Sequence, residues 1–191
     1  MTVKEIIPNI LCLEYRQDKE DKDYGTCLWA RFMFNLDRYE MTITSECGIY
    51  GYKWCETPDS ESFLELMARC DKEYILNKIY GNADIFDYDA TKKHIYECCC
   101  HDDEDKAILD RIFENIEWDY EPNEVIDFMR KFDEENDGYF TDIWEFPQYR
   151  YPADAIKIVT VFDECIRPKI KEIMKKKAKL NFKSQPFDCS R

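Results

Sequence analysis

"CLWARFMFNLDRYEMTITSECGIYGYKWCE", residues 27–56, is the stretch that decides the fold. Apolar side chains recur in it at every second position, which is the period of a β-strand. One face of the first predicted strand carries Leu28, Ala30, Phe32, Phe34 and Leu36. The other face is also apolar, at Cys27, Trp29 and Met33. This strand is therefore predicted to lie at the centre of a sheet.

Two more strands follow after short links. Tyr39, Met41 and Ile43 alternate with polar residues, the pattern of a half-buried strand. The third strand places three aromatic residues on one face: Tyr50, Tyr52 and Trp54. Residues 36–39 form the predicted first turn, and Gly48 supplies a positive φ at the second. With Asn9 to Tyr15 as a fourth strand, the N-terminal part is predicted to be an antiparallel meander.

Helical spacing replaces this alternation further along the chain. Thr57 before Pro58 predicts a helix start, followed by apolar residues at Phe63, Leu66, Met67, Cys70 and Tyr74. Further helices are predicted over residues 102–116, with a stripe from Ile108 to Ile116, and near 122–132, burying Val125, Ile126, Met129 and Phe132. The last helix is predicted to bury Ile156, Val159, Phe162, Cys165 and Ile166 and to kink or break at Pro168. The predicted class is α+β, an N-terminal antiparallel sheet with a mainly helical second half.

Composition indicates a folded chain. Of the 191 residues, 45% are hydrophobic and 15% aromatic, which excludes a disordered protein despite 36% charged residues. We predict a single acidic domain over residues 1–166 and a basic helix end and tail over residues 167–191. No run of eighteen apolar residues and no export signal are found, so the ten cysteines are interpreted as reduced thiols in a cytoplasm.

The charge is unevenly spread. The formal net charge is −14, whereas residues 167–191 alone carry nine bases and two acids. Residues 84–145 hold 21 acids against 6 bases. Such a body repels phosphate, so direct nucleic-acid binding by it is not expected. The basic end binds an anion or, as charge runs more often do, solvates and complements a helix C-terminus.

Residues 98–101, Cys-Cys-Cys-His, raise the question of a metal centre. Adjacent side chains diverge on a strand or a helix, so three in a row cannot converge on one ion. A zinc site would use His94, Cys98 and His101 and borrow a ligand such as Cys70 or Cys165. The competing interpretation is a short strand of packed thiols that ends where Asp102 caps a helix. Whether this cluster binds metal stays open.

Two acidic segments also have metal interpretations. Asp133, Glu135, Asp137 and Gly138 match the first, third, fifth and sixth places of a calcium loop, but Trp144 stands where a bidentate Glu belongs. The alternative is an acidic turn. Asp84, Asp87 and Asp89 lie near Lys92 and Lys93, a set able to hold Mg²⁺ or simply to form a solvated turn.

Nucleophilic and phosphate-loop chemistry find no support in the sequence. Only two histidines exist, and neither a Gly-x-Ser-x-Gly elbow nor a glycine-rich phosphate loop occurs. The aromatic strand at Tyr50 to Trp54 offers a base-stacking platform with only Lys53 nearby, so a core or a protein-binding face is favoured. No cofactor and no catalytic residue are predicted.

The stretch from Leu28 to Gly81 resembles small proteins encoded by phages and prophages of gut bacteria. The resemblance brings no catalytic residues with it. It implies a protein that works in the cytosol of a bacterial host. Proteins of this kind often inhibit host defences, and some anti-CRISPR proteins are small, acidic and imitate DNA.

We therefore predict a non-enzymatic binding protein that inhibits a host defence or DNA-binding protein, with no membrane contact and with homodimerisation open. In its mimic form, carboxylates pair with the Arg and Lys that normally hold nucleic acid. The predicted partner-binding residues are Asp102, Asp103, Glu104, Asp105, Asp133, Glu134, Glu135 and Asp137. The alternative is a metal-dependent enzyme acting on a nucleotide or nucleic acid.

Overall fold

Two compact units make up the fold. The computed structural model describes residues 2–57, 61–114, 122–135, 138 and 146–183. Unit 1 combines Met1–Asn82 with Pro152–Arg191, and unit 2 is Ala83–Tyr151. The single domain over residues 1–166 stays a prediction.

The described elements are β1 Ile10–Arg16, β2 Trp29–Asn35, β3 Glu40–Ser45, β4 Gly48–Lys53, α1 Phe63–Arg69, α2 Lys72–Tyr80, β5 Ile85–Phe86, α3 Tyr88–Cys99, α4 Asp103–Glu114, α5 Pro122–Glu135, β6 Tyr149–Arg150, α6 Ala153–Val161, a π-helical segment Phe162–Ile166 and α7 Arg167–Lys183.

The predicted meander is confirmed. Strands β1 to β4 form one antiparallel sheet in sequence order, with β2 inside it. Gly48 has the positive φ that its turn was predicted to need, 117°. Tyr39, at the first turn, also has a positive φ of 55°, which is uncommon for a residue with a side chain. The α+β class, with helices after the sheet, is confirmed as well.

One face of the sheet forms the core of unit 1. Phe32, Phe34 and Ile43 are 0% exposed because helices cover this face. Trp54 is also buried; its ring lies 5.3 Å from that of Phe63, and its Nε1 donates to the hydroxyl of Tyr74 at 2.9 Å. Trp54 therefore serves the core, whereas Tyr50 and Tyr52 are half-buried.

The first helix starts later than predicted. Ser62, not Thr57, caps α1: its hydroxyl accepts from the backbone of Glu65, whose carboxylate accepts from the Ser62 backbone at 2.7 Å. Thr57 instead donates its hydroxyl to the carbonyl oxygen of Glu61. The helix then ends, and Asp71 caps α2 by accepting from Tyr74 at 2.8 Å. The single helical pattern predicted up to Tyr74 is thus two helices.

The predicted irregularity before Pro168 is a π-helical segment. The Arg167 N–H donates to the carbonyl of Phe162, five residues back. Proline lacks an N–H and clashes with the carbonyl four residues earlier, and a widened turn relieves both problems. The extra residue shifts the inward face of the helix. Ile166 is buried, as predicted, whereas Cys165 is exposed although it was predicted to be buried. Ile156, also predicted to be buried, is 43% exposed.

Within its described residues, unit 2 packs three helices beside a pair of two-residue strands. Its buried cluster comprises Ile95, Leu109, Ile112, Phe113 and Met129. The helices predicted near residues 102–116 and 122–132 are present as α4 and α5, although Ile116 and the side chain of Val125 lie outside the described residues. Residues 92–99 are helical in α3, so the strand conformation predicted for them was wrong. Strand-like alternation there is local; the apolar residues actually follow a helical face.

Among the described residues of both units, no helix combines the length and the apolar character needed to cross a membrane.

Candidate acidic interface

The entire net charge of the chain belongs to unit 2. Ala83–Tyr151 contains 21 acidic and 7 basic residues, a formal charge of −14. Unit 1 contains 20 acidic and 20 basic residues and is neutral. The division into compact units therefore coincides with a division into a neutral and a strongly acidic body. The predicted partner-binding carboxylates all fall in the acidic one.

The start of α4 carries the first group of these carboxylates. Asp102 caps the helix, because its Oδ1 accepts from the backbone N–H of Glu104 and of Asp105, each at 2.9 Å. Asp103 and Glu104 are exposed on the first turn. Acidic side chains are favoured there by the helix dipole, so part of their role is to stabilise α4. Their outward exposure leaves them able to contact a partner as well.

Asp105 differs from its three neighbours. It is only 8% exposed, and its Oδ2 accepts from the backbone N–H of His101 at 2.8 Å. This bond ties the residues that link α3 and α4 to the first turn of α4. Asp105 therefore stabilises the link between α3 and α4, and its burial leaves little carboxylate surface for a partner to contact.

The end of α5 carries the second group. Glu134 and Glu135 are exposed on its last turn. Asp133 is 5% exposed, and its carbonyl oxygen accepts from the N–H of Gly138 at 2.8 Å. Asp137 lies outside the described residues. Four of the predicted residues are exposed and, within the described structure, cap no helix: Asp103, Glu104, Glu134 and Glu135.

Cations neutralise only part of this unit. The ion pairs described in it are Lys93 with Glu97 at 3.6 Å, Arg130 with Asp127 at 2.9 Å and Arg150 with Asp87 at 3.9 Å. In the part of the chain that the structure describes, none of the four exposed carboxylates at the two helix ends has an ion pair. We call these four carboxylates, at Asp103, Glu104, Glu134 and Glu135, the acidic interface.

A groove of about 630 Å³ along α3 and α4 holds further acidic side chains. Asp89, which was predicted for Mg²⁺, lines it together with Asp110, which the sequence analysis missed, and both are exposed. No sequence signal joins the two, because they lie on different helices. The carboxylate of Asp110 accepts from the hydroxyl of Tyr96 at 2.5 Å. Burial, and then this carboxylate, raise the pKa of Tyr96, so the tyrosine stays neutral.

Two lysines, Lys92 and Lys93, line the same groove without making it basic, because Lys93 pairs with Glu97 at 3.6 Å. Lys92 lies over aromatic rings. Its ammonium lies 5.2 Å from the ring centre of Phe113 and 6.0 Å from that of Tyr96, which stacks on Phe113. A cation held over aromatic faces is partly satisfied by them. Because acidic side chains at Asp89 and Asp110 also line the groove, it does not favour an anionic substrate.

The three consecutive cysteines diverge at the end of α3. Cys98 is exposed, with its Sγ 3.8 Å from Nδ1 of His94. Cys99 packs against the buried cluster of unit 2, and burial raises the pKa of its thiol. Cys100 ends the helix, and its Sγ lies 3.8 Å from the carbonyl oxygen of Asp102. His94 and Cys98 share a helix face, as the zinc interpretation required, but their neighbours point elsewhere.

The carboxylates proposed for Mg²⁺ have local structural partners. Asp87 caps α3 by accepting from Ala90 at 3.0 Å and also faces Arg150. Asp89 lies in the first turn of α3 and faces the groove. Within the described residues, no group of three or more His, Cys, Asp or Glu side chains is arranged to hold a metal ion.

The start of the predicted calcium loop does not have the conformation of a loop. Asp133 and Glu135, its first and third positions, belong to α5 and have helical backbone. Gly138 has a φ of 69°, as the acidic-turn alternative requires. The fifth position, Asp137, and the twelfth, Trp144, lie outside the described residues.

Comparison with known proteins identifies the family. A family model described as a phage family, Phage_phiTE_072, matches residues 2–172, most of the chain, which therefore belongs to this family. The match extends well beyond the residues that suggested a phage origin. Neither a curated protein nor a solved structure matches the chain.

Proposed function

We propose that this member of a phage protein family is a non-enzymatic binding protein that inhibits a host antiviral or nucleic-acid-binding protein. In this proposal the acidic interface of unit 2 pairs with the Arg and Lys side chains of a basic site on that host protein. The protein works in the bacterial cytosol, where such a target meets nucleic acid. Mimicry of DNA is the mechanism that we propose for the inhibition.

The observation that carries the proposal is the confinement of the net charge, −14, to one compact unit while the other is neutral. A protein that needs charge only for solubility gains it from any exposed position. Concentrating it on one body creates a directed field, which accelerates encounter with a basic surface. Within the described residues of unit 2, the carboxylates of Asp103, Glu104, Glu134 and Glu135 have no ion pair, so they supply groups that a guanidinium can bind directly.

A matched pair of variants tests this proposal. The test variant neutralises the acidic interface with Asp103→Asn, Glu104→Gln, Glu134→Gln and Glu135→Gln. The control variant makes the same chemical changes at four exposed acids of unit 1, Asp18→Asn, Glu5→Gln, Glu20→Gln and Glu73→Gln. Both variants lose the same formal charge, so any difference between them reports where the charge lies.

The measurement is capture from host lysate with mass spectrometry at low and high salt, followed by competition with double-stranded DNA. Wild type and control are expected to retain the same basic nucleic-acid-binding protein, and salt or DNA should release it. The test variant should lose most of it. Equal retention by both variants, or retention that salt does not weaken, would contradict the proposal.

The metal-dependent enzyme is the alternative, and no contact among the described residues favours it. Its separate test is the thermal midpoint with Mg²⁺, Ca²⁺ or Zn²⁺ added. A ligand that binds only the folded state raises this midpoint. A clear rise of the thermal midpoint with one of these ions would favour the metal-dependent enzyme.

A further inference from the structure

Within the residues that the structure describes, β1 pairs with β2 alone, so its other edge is open. Hydrogen bonds at its two ends, Gln17 N–H to Leu28 O at 3.0 Å and Leu36 N–H to Asn9 O at 2.9 Å, fix the ladder with β2. Because bonded pairs alternate in an antiparallel ladder, the odd-numbered residues of β1 bond to β2. The even-numbered residues therefore direct their N–H and C=O groups away from the sheet: Ile10, Cys12, Glu14 and Arg16.

The apolar core is also incomplete at this edge. Phe32 and Ile43, on β2 and β3, are 0% exposed on the inner face of the sheet. On β1 the corresponding side chains are only half-buried, at Leu11, Leu13 and Tyr15. The segment before β1 exposes large apolar side chains, with Val3 98% and Ile7 90% exposed, and Ile10, the first residue of β1, is 48% exposed. A strand added at this edge would cover apolar surface as well as satisfy backbone groups.

The charges that usually protect a sheet edge are neutralised here. The carboxylate of Glu14 pairs with Arg16 at 2.7 Å and with Arg31 at 3.1 Å. The edge thus carries little net charge to repel another copy of itself.

We propose that β1 pairs with β1 of a second copy of this chain, antiparallel about a two-fold axis at Leu13. This register sets Ile10 opposite Arg16 of the second copy and Cys12 opposite Glu14 of the second copy. All four outward-facing residues of each copy then lie in hydrogen-bonded pairs. On the inner face, Leu13 meets its own copy and Leu11 meets Tyr15, so the two cores join.

Neighbouring registers are worse for physical reasons. An axis at Glu14 sets that residue against its own copy, and like charges directly opposite destabilise a pair of strands. An axis at Cys12 sets Arg16 against Pro8 of the second copy, which has no N–H to donate. The axis at Leu13 avoids both faults and gives a continuous eight-stranded sheet.

A pair of substitutions at one exposed position tests the register. Cys12→Glu places a second carboxylate opposite Glu14 of the other copy, twice per dimer, whereas Cys12→Lys places an ammonium there. Both side chains are charged, long and solvated in the monomer, so the two variants differ chiefly in the sign of the charge. The dimer dissociation constant is measured by sedimentation equilibrium under reducing conditions, with circular dichroism to confirm the fold of each variant.

Wild type is expected to dimerise over the concentration series, and Cys12→Glu should raise the dissociation constant about tenfold relative to Cys12→Lys. Added salt should narrow this gap, since exposed charges are screened. A wild type that stays monomeric throughout would overturn the proposal. Dimers that both variants weaken equally would do the same, because they would form through another surface. The inference is independent of the proposed function and survives or fails without it.

Discussion

Unit 1 and unit 2 use their charged residues differently. In unit 1, acids and bases are equal in number and several meet across the sheet or along a helix, as Glu14 does with Arg31 and Asp163 with Arg167. In unit 2, acids outnumber bases three to one, and carboxylates at two helix ends have no ion pair within the described structure. Balanced charge is typical of a surface that only has to stay solvated. The imbalance of unit 2 is the observation behind the binding surface proposed above.

The largest effect is expected from the core of unit 1. Phe32 is 0% exposed and its ring centre lies 6.1 Å from that of Phe162. Phe32→Ala should lower the free energy of unfolding by about 3–5 kcal/mol, because it removes buried area and leaves a cavity. Hydrogen exchange locates the loss: amides of β2 and β3 should exchange faster, and those of α4 should not. Equal acceleration in both would mean that the two units unfold together.

A smaller loss of folding stability is expected from substituting Asp105. Comparing Asp105 with an exposed neighbour distinguishes a carboxylate that supports the fold of unit 2 from one that is available to a partner. Asp105→Ala leaves the N–H of His101 without its acceptor and should cost about 1–3 kcal/mol. Asp103→Ala, two residues earlier and exposed, should cost less than about 1 kcal/mol through the helix dipole. Urea denaturation of both variants measures the difference. Equal losses would show that the bond to His101 does not distinguish them.

Alkaline pH should weaken unit 1 through its buried thiols. Burial raises the pKa of Cys47 to about 12 and that of Cys70 to about 11, from an ordinary value of 9.0. The folded state keeps protons that the unfolded state releases, so this stability is full below pH 9 and is lost as pH rises towards 11 and 12. Denaturation midpoints at about pH 8 and about pH 10 should differ less in Cys47→Ala than in wild type. An unchanged difference would exclude Cys47 as a cause.

The smallest effect is expected on the exposed surface of α7. Lys169 and then Lys176 lower the pKa of Glu172 to about 2. A lowered pKa contributes stability above the ordinary value of 4.5, and this contribution is lost as pH falls towards 2. Helicity by far-ultraviolet circular dichroism should therefore fall slightly more between about pH 6 and about pH 3 in wild type than in Glu172→Gln. High salt should abolish the difference, because the group is exposed.

The sheet was predictable from the sequence because its signal is local. Alternation around Phe32 and Ile43 specifies which face is buried, and short links leave little choice of topology. The helix ends were less predictable. Thr57 and Ser62 are both good capping residues, and the choice between them depends on the reach of Glu65 back to Ser62. The break at Cys70 has no strong sequence signal beyond the capping residue Asp71.

The candidate site was predictable in composition but not in role. The sequence grouped Asp102 to Asp105 as one acidic run, whereas Asp102 caps α4 and Asp105 is buried. Only tertiary packing distinguishes a carboxylate that faces a neighbouring backbone from one that faces water. The boundary at residues 82–83 has no proline- or glycine-rich linker to mark it. The sequence therefore did not reveal that the acidic residues and the second compact unit share the same limits.

The π-helical segment has a consequence for how chain length can vary in this family. The N–H of Arg167 bonds five residues back to Phe162 rather than four, so this turn holds one residue more than a regular α-helical turn. Deleting one residue of the segment and replacing Pro168 together would allow a regular ladder and leave Ile170, which is 0% exposed, facing the core. A deletion in the middle of α6 would instead turn every later side chain by about 100°. A regular ladder would bring Pro168 against a helical carbonyl, so relatives lacking the extra residue are expected to lack this proline too.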